Sequence, residues 1–202
     1  MRNVLHNPHN SLPRISIMRS LKDGIRIASF CAGPVSGRKR TTLFCVIMRK
    51  DTIEGMLSSD IEVDGFDGEK KIMHMLKRSR FSRQVGLIAL NGVALAGLNV
   101  VDIAKLSEIA GIPVIAVTRN APRRSMMEDA IRKHCKGDAN AAKKKIMALR
   151  SAETFQRAEG FYVCSSTPVN EIKRLVAPAA AGLRIAHMAA RACSTGESRG
   201  RL

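Results

Sequence analysis

Two short apolar segments constrain the fold of this chain more than any other feature of its sequence. They span residues 85–90 and 111–117, and each is typical of a strand that is buried on both faces. The residues between them, 100–110, carry a helical pattern, and Gly111 is a suitable C-cap for that helix. A strand–helix–strand succession with short connections pairs its strands in parallel through a right-handed crossover. The chain is therefore predicted to have an α/β fold.

Further strands and helices are predicted on both sides of this unit. Alternating or β-rich segments indicate three earlier strands at residues 24–30, 43–48 and 53–63, and an amphipathic helix follows at residues 69–79. Later segments indicate a basic helical stretch at residues 123–150 that is split near Gly137, and a strand at residues 160–165. Two closing helices follow at residues 169–176 and 183–192. Three antiparallel strands followed by a parallel unit make a mixed sheet flanked by helices.

Length and composition fit one domain. The chain has 202 residues, of which 45% are hydrophobic, so it can bury a full core. We predict a single domain at residues 21–193, a flexible basic arm at residues 1–20 and a disordered tail at residues 194–202. The arm lacks the apolar centre of a secretory signal, and no apolar run reaches the roughly 20 residues of a membrane helix.

The cysteines indicate a reducing compartment. There are five of them, an odd number, and none forms a Cys-x-x-Cys pair, so we expect free thiols, a cytoplasmic location and no zinc site. Cys31 would need a nearby base to act as a nucleophile, and none of the five histidines lies in a recognisable Cys–His pattern. We therefore expect Cys31 to be a buried thiol at the end of a strand.

The charge of the chain indicates a polyanionic partner. Lys and Arg number 34 against 17 Asp and Glu, which gives a formal net charge of +17. Nucleic acid is the partner that this predicts, and a basic composition without a ligand is the alternative. Aromatic residues make up only 3% of the chain, which disfavours recognition of single strands by stacking. The candidate contact residues in the basic helical stretch are Arg123, Arg124, Lys143, Lys144 and Lys145.

One segment has the opposite charge. Seven of the 17 carboxylates lie between Asp51 and Glu69, where there is no Lys or Arg. Such a segment is either a solvated edge of the sheet or a site for a cation, and both interpretations stay open.

Several groups of residues occur in an order that suggests a known family. They are Gly24-Ile-Arg-Ile with Gly33-Pro34, Ile61-Glu-Val-Asp-Gly65, Ser79-Arg80, residues 90–103 with 111–117, and Leu183-Arg-Ile-Ala-His187. Together they resemble the archaeal "domain of unknown function 99" family, which is related to endonuclease V in the ribonuclease-H-like superfamily. The resemblance runs over most of residues 22–192. It implies a ribonuclease-H-like mixed sheet whose strand-end carboxylates hold Mg²⁺ for phosphodiester cleavage.

The chain departs from the pattern of that family at the strand ends. Where the resemblance implies Asp-Asp-Gly-Pro after the first strand, this chain has Cys31-Ala32-Gly33-Pro34, and where it implies Asp-Gly after a later strand, the chain has Asn91-Gly92. Cys31, Ala32 and Asn91 are thus the degenerate catalytic positions, because none of them supplies an anionic oxygen.

The resemblance leaves a few candidate positions that could still be functional. Asp64, Asp67 and Glu69 are the candidates for a surviving acid, and Asp64 and Asp67 are the candidate metal ligands. The alternative is that Asp64 and Asp67 are turn and helix-capping residues. Arg119 follows the strand at residues 111–117, where the family has Lys, and is a candidate for a phosphate contact.

Three functions are compatible with these features. The first is an endonuclease-V-like protein that binds DNA or RNA, has a degenerate and inactive metal site, and has no bound cofactor. The second is an active metal-dependent endonuclease with a rearranged site, which would use Mg²⁺ or Mn²⁺ held by Asp64, Asp67, Glu69 or Asp102. The third is a non-enzymatic scaffold that binds ribosomal RNA or an acidic protein. The lost carboxylates favour the first.

Overall fold

The fold is built on one seven-stranded mixed sheet. The computed structural model describes residues 24–152 and 154–198. The strands of the sheet are β1 (Arg26–Ala32), β2 (Arg40–Arg49), β3 (Thr52–Glu62), β4 (Val85–Asn91), β7 (Val114–Thr118), β8 (Gln156–Ala158) and β9 (Phe161–Ser165), while β5 (Ala94–Leu95) and β6 (Asn99–Val100) form a separate hairpin. The order across the sheet is β3-β2-β1-β4-β7-β9-β8.

Helices cover both faces of the sheet. They are α1 (Gly68–Arg78), α2 (Ile103–Ala110), α3 (Arg124–His134), α4 (Ala139–Arg150) and α5 (Val169–Thr195). Buried residues of α1 to α4 pack on one face, against strand residues that include Phe30, Leu43 and Ile88. Helix α5 packs on the other face, against strand residues that include Leu87 and Val46. The sheet is therefore the middle layer of three.

The predicted α/β fold is confirmed. Strand β4 is parallel to both β1 and β7, and α2 connects β4 to β7 as the crossover helix. Strands β1, β2 and β3 are antiparallel to one another in succession. Gly111 ends α2 with a φ of 67° in the left-handed region, as its position after the helical pattern predicts.

The apolar run around residue 100 folds differently from the prediction. Val100 does not begin the helix but belongs to β6, and α2 begins after Asp102, whose side chain accepts a hydrogen bond from the backbone N of Lys105. That bond satisfies one of the free N–H groups at the start of the helix. The helix therefore starts at the capping residue rather than where the apolar pattern starts.

The prediction of two closing helices is wrong, because α5 is a single helix of 27 residues that passes through Pro178. Proline removes one intrahelical hydrogen bond, but residues on both sides of it pack against the sheet. The same helix continues through Ser194 and Thr195, so it includes the first residues of the predicted tail. The predicted arm at residues 1–20 and the last residues of the tail, 199–202, lie outside the described residues.

Within residues 24–152 and 154–198, no helix combines the length and the apolar character that crossing a membrane requires.

Candidate functional site

The carboxyl ends of β1 and β4 bring two of the predicted degenerate positions together. Phe30 pairs with Leu90 in the parallel register, so Cys31 and Asn91 are the next residues along the two strands. The side-chain amide Nδ2 of Asn91 donates a hydrogen bond to the Cys31 sulfur at 3.3 Å. Ala32, the third degenerate position, ends β1 and supplies only a methyl group.

A histidine from the last helix completes this cluster. The Nδ1 atom of His187 lies 3.5 Å from the Cys31 sulfur. The sequence shows no recognisable Cys–His pattern because the two residues are 156 positions apart in the chain, and only the packing of α5 brings them together. The expectation that Cys31 is a buried thiol is confirmed, since it is 2% exposed. We refer to Cys31, Asn91 and His187 as the strand-end cluster.

Small residues on α5 make this close approach possible. A Cβ atom on Gly182 would lie 2.5 Å from the Ser29 hydroxyl, so the helix backbone lies directly against β1 at that point. One and two turns later, Ala186 and Ala190 pack against Cys31 and residues of β2. Because the helix axis lies so near the sheet, the ring of His187 reaches the end of β1.

Burial makes the neutral forms of this cluster the favoured ones. Cys31 is 2% exposed, and burial raises the pKa of its thiol, although the hydrogen bond from Asn91 acts in the opposite direction. Burial, assisted by the positive charge of Arg191, lowers the pKa of His187. A thiolate–imidazolium pair of the kind that activates a nucleophilic cysteine is therefore disfavoured.

A cavity of about 430 Å³ opens beside the cluster. Asn91 and His187 line it together with residues of β7, β9 and α5, and its two cationic side chains are Arg119 and Arg184. Guanidinium groups bind phosphate and carboxylate oxygens through paired hydrogen bonds. The predicted phosphate-contact residue Arg119 thus lines the same cavity as Asn91.

The candidate acids are engaged in structural contacts. Asp64 accepts a hydrogen bond from the backbone N of Leu98 at 2.6 Å, and Asp67 accepts one from Asn99 at 2.7 Å. Glu69 accepts one from the backbone N of Asp102 at 3.0 Å. These bonds join the start of α1 to the β5–β6 hairpin and to the start of α2. Asp67 is the N-cap residue of α1 by position, but its side chain makes no capping bond.

The rest of the acidic segment is largely paired with cations. Arg40 on β2 forms ion pairs with Asp60, Glu62 and Asp67. Hydrogen bonds from Lys71 and Arg40 lower the pKa of Asp60 to about 2. These contacts along the edge strand β3 favour the solvated-edge interpretation over a cation site.

Lys145 is not a surface residue, which corrects its assignment as a nucleic-acid contact. It is only 2% exposed, and its ammonium donates hydrogen bonds to the carbonyl oxygens of Asp64, Gly65 and Leu98 at 2.7, 2.7 and 2.6 Å. The ring of Phe66 lies over it, with 4.1 Å between Nζ and the ring centroid. Burial lowers the pKa of Lys145. The basic run from Lys143 to Lys145 places its third member inward because α4 packs that face on the core.

The other basic candidates lie at or near the surface around α3 and α4. Arg123, Lys143 and Lys144 are exposed, whereas Arg124 is partly buried, with its Nε atom 3.7 Å from Glu128. A groove of about 640 Å³ between the two helices is lined by four cationic side chains, those of Arg132, Lys136, Lys143 and Arg150. We call this groove the α3–α4 groove.

The strand-end cluster does not fit the Mg²⁺ that the family resemblance implies. Mg²⁺ requires hard, mostly anionic oxygen ligands, whereas the cluster offers a thiol, an imidazole and a neutral amide. In the part of the chain that the structure describes, no three His, Cys, Asp or Glu side chains come together as a metal site. The predicted ligands Asp64 and Asp67 therefore belong to no group of three such side chains within the described residues.

Comparison with known proteins gives consistent matches over most of the chain. The family model described as endonuclease dU matches residues 23–194. A UPF0215 protein of Thermococcus sibiricus is 33% identical over 201 residues, which covers 91% of this chain and 99% of that protein. A UPF0215 protein of Methanothermobacter thermautotrophicus is 31% identical over 192 residues, which covers 90% and 94%.

A solved structure agrees with the fold. A crystal structure of a protein from Archaeoglobus fulgidus aligns with a TM-score of 0.74 at 24% identity, over 82% of this chain and 96% of that one. Human endonuclease V is more distant and aligns with a TM-score of 0.49 at 10% identity, over 81% of this chain and 83% of that one.

Proposed function

The chain belongs to the endonuclease dU family, and from this we propose that it binds nucleic acid while its Mg²⁺-dependent cleavage is impaired. The name of the family points to deoxyuridine in DNA, so DNA that contains deoxyuridine is the first substrate to test. The proposal has two parts, a binding surface and a degenerate site.

The strand-end cluster is the observation that carries the proposal. Cys31 and Asn91 touch each other at the two strand ends where the family resemblance implies carboxylates. A cation that sheds its water there would meet one neutral amide and one neutral thiol. Such a donor set cannot compensate the lost hydration of Mg²⁺, so the site cannot activate water as a two-carboxylate site does.

Two basic regions support the binding part of the proposal. Arg119 and Arg184 line the cavity beside the cluster, and four cations line the α3–α4 groove. Each phosphate that a cation neutralises releases counterions, so the affinity should fall steeply with salt and depend little on sequence. A protein with about five phosphate contacts should bind roughly two to three decades more weakly at 200 mM than at 50 mM salt.

The experiment measures binding and cleavage on the same DNA. Duplexes with deoxyuridine, inosine or only normal bases are titrated by fluorescence anisotropy at several salt concentrations, and cleavage is followed in millimolar Mg²⁺ or Mn²⁺. We expect salt-dependent binding and no cleavage. Affinity that is indifferent to salt would refute the binding part. Robust cleavage by the wild type that Asn91→Ala abolishes would instead support an active, rearranged site.

Matched variants identify the surface. Replacing Lys143 and Lys144 by Ala removes two exposed cations of α4 and should reduce the salt slope by about 0.9 for each phosphate that is no longer neutralised. Replacing Lys70 and Lys77 by Ala removes the same charge from α1, where both side chains are also exposed. The control should keep the wild-type slope. Equal effects of the two pairs would mean that net charge, rather than the face of α4, determines binding.

A further inference from the structure

We propose that the cavity beside the strand-end cluster binds a nucleoside monophosphate, either as a free nucleotide or as the terminal nucleotide of a nucleic-acid strand. This rests on the proposed function, since both use the cations of this cavity, and it names a ligand for the cavity itself. The volume of about 430 Å³ lies within the roughly 300–1,000 Å³ of sites for small ligands and cofactors.

The charged side chains of the cavity suit a phosphate. Arg119 and Arg184 line it, and among the residues that the structure describes no Asp or Glu does. The side chain of Arg184 is exposed and has no hydrogen bond or ion pair with another described residue. Its guanidinium can therefore pair with phosphate oxygens, and such charge-assisted hydrogen bonds are roughly twice as strong as neutral ones.

The replaced strand-end residues make this possible without a metal ion. Carboxylates at the positions of Cys31 and Asn91 would repel a phosphate unless a cation lay between them, whereas a buried neutral thiol and a neutral amide do not. The changes that make the cluster unsuitable for Mg²⁺ thus remove the negative charge that would exclude a phosphate from the neighbouring cavity.

His187 adds a neutral hydrogen-bond donor to the cavity. Its Nδ1 atom lies 3.5 Å from the Cys31 sulfur, and burial favours the protonated form of that thiol. When Nδ1 accepts the thiol hydrogen, the ring carries its own hydrogen on Nε2. Because the ring lines the cavity, that hydrogen is a donor for a phosphate oxygen.

The remaining walls suit a nucleobase. Val117, Leu183 and three alanines of α5 supply apolar surface, and Phe161 supplies an aromatic ring. Asn91 gives one amide hydrogen to Cys31, so its Oδ1 and its second amide hydrogen have no partner among the described residues. A side-chain amide pairs a donor with an acceptor, as the edge of a base does. An inorganic anion would leave the apolar wall and this amide unused, which favours a nucleotide.

The test uses the full chain without DNA or added metal ions. Calorimetry compares deoxyuridine and deoxyadenosine monophosphates with the two nucleosides and with inorganic phosphate. The tighter of the two nucleotides should bind at least about tenfold more tightly than its own nucleoside and than phosphate, because it uses both parts of the cavity. A nucleotide that binds no more tightly than inorganic phosphate would overturn the inference.

Three variants on α5 locate the binding site. Arg184→Gln removes the exposed cation and should weaken nucleotide binding by about tenfold or more. Ala181→Leu fills the cavity from an exposed position of the helix, so it should abolish binding while the urea midpoint stays unchanged. Lys173→Gln removes the same charge from an exposed position that does not line the cavity, and it should bind as the wild type does. Unchanged binding by the first two variants would contradict the assignment.

Competition separates the two sources of the ligand. A short DNA strand with a 5′-phosphate and the same strand with a 5′-hydroxyl are titrated against the bound nucleotide. Displacement by the phosphorylated strand alone identifies the strand terminus as a ligand, and displacement by neither identifies the free nucleotide. Equal displacement by both would show that a terminal phosphate is not recognised and would overturn the inference.

The outcomes also separate this inference from the proposed function. Salt-dependent binding of duplex DNA without nucleotide binding would refute the inference alone. Nucleotide binding without any binding of duplex DNA would support the inference and refute the proposed function.

Discussion

Replacing Lys145 by Met tests whether a buried ammonium holds the segment between β3 and α1 in place. Methionine keeps the length and the apolar stem of the side chain but removes three hydrogen bonds, to the carbonyl oxygens of Asp64, Gly65 and Leu98. Two of these acceptors belong to the turn before α1 and the third to the β5–β6 hairpin. The ammonium therefore connects two parts of the chain that share no strand pairing.

The expected loss follows from the number and type of these bonds. A hydrogen bond to a charged group contributes about 1.5–3 kcal/mol, so three of them contribute about 5–9 kcal/mol before the cost of burying the ammonium. Burial of one ion costs several kcal/mol, which the substitution would recover, whereas each buried carbonyl that loses its donor costs about 1–3 kcal/mol. We expect Lys145→Met to lower the free energy of unfolding by about 3 kcal/mol.

Urea denaturation measures the change in the free energy of unfolding directly. With a slope of about 2 kcal/mol/M, a loss of about 3 kcal/mol lowers the midpoint by about 1.5 M. Lys144→Met is the matched control, because its side chain is exposed on the same helix, and it should stay within about 0.5 kcal/mol of the wild type. A loss below about 1 kcal/mol for Lys145→Met would refute the reasoning.

Three further predictions address other parts of the chain. Because the pKa of Asp60 is lowered to about 2 from 3.8, its contribution to stability is present above pH 3.8 and lost as the pH falls towards 2. In Asp60→Asn, this pH-dependent part of the free energy of unfolding should be missing when stability is measured at a series of acid pH values. The difference from the wild type should be less than about 1 kcal/mol, because the carboxylate is exposed. Gly182→Ala should cost about 1–3 kcal/mol in thermal or urea unfolding, and Ser29→Ala in the same chain should restore part of it. Ala32→Asp with Asn91→Asp should bind Mn²⁺ more tightly than the wild type in calorimetry and gain trace nicking activity; unchanged affinity would contradict the degenerate-site assignment.

The strand–helix–strand unit could be predicted because its signals are local. Apolar runs in β4 and β7 are long enough to span a buried strand, and Gly111 ends the helix between them. The split of the basic stretch near Gly137 likewise follows from one residue with a φ of 98°. Each of these features depends on residues that are neighbours in the chain.

Features that depend on packing could not be predicted in this way. Pro178 is a local signal for a helix end, yet α5 passes through it because contacts on both sides hold the helix against the sheet. Lys145 belongs to a run of three lysines, and only the orientation of α4 separates the buried one from its two exposed neighbours. Neither outcome has a signature in the surrounding residues.

The candidate site was partly predictable. Cys31 and Asn91 were assigned to one site because the family resemblance implies carboxylates at both positions, and the structure places both at the carboxyl ends of neighbouring parallel strands. His187 could not, since its position depends on how closely α5 approaches β1, and that distance is determined by Gly182 and the alanines that follow it.

The neutral character of the strand-end cluster also determines how the fold behaves without a metal ion. Carboxylates that meet at strand ends repel one another, and binding of a cation or a proton reduces that repulsion. In this chain, the thiol of Cys31 and the ring of His187 are in contact, and burial favours the neutral form of each. The metal-free cluster therefore carries no like-charge repulsion that a cation must balance. It follows that metal removal should leave the fold stable, and that any metal bound at this edge of the sheet is selected by donor type rather than by charge.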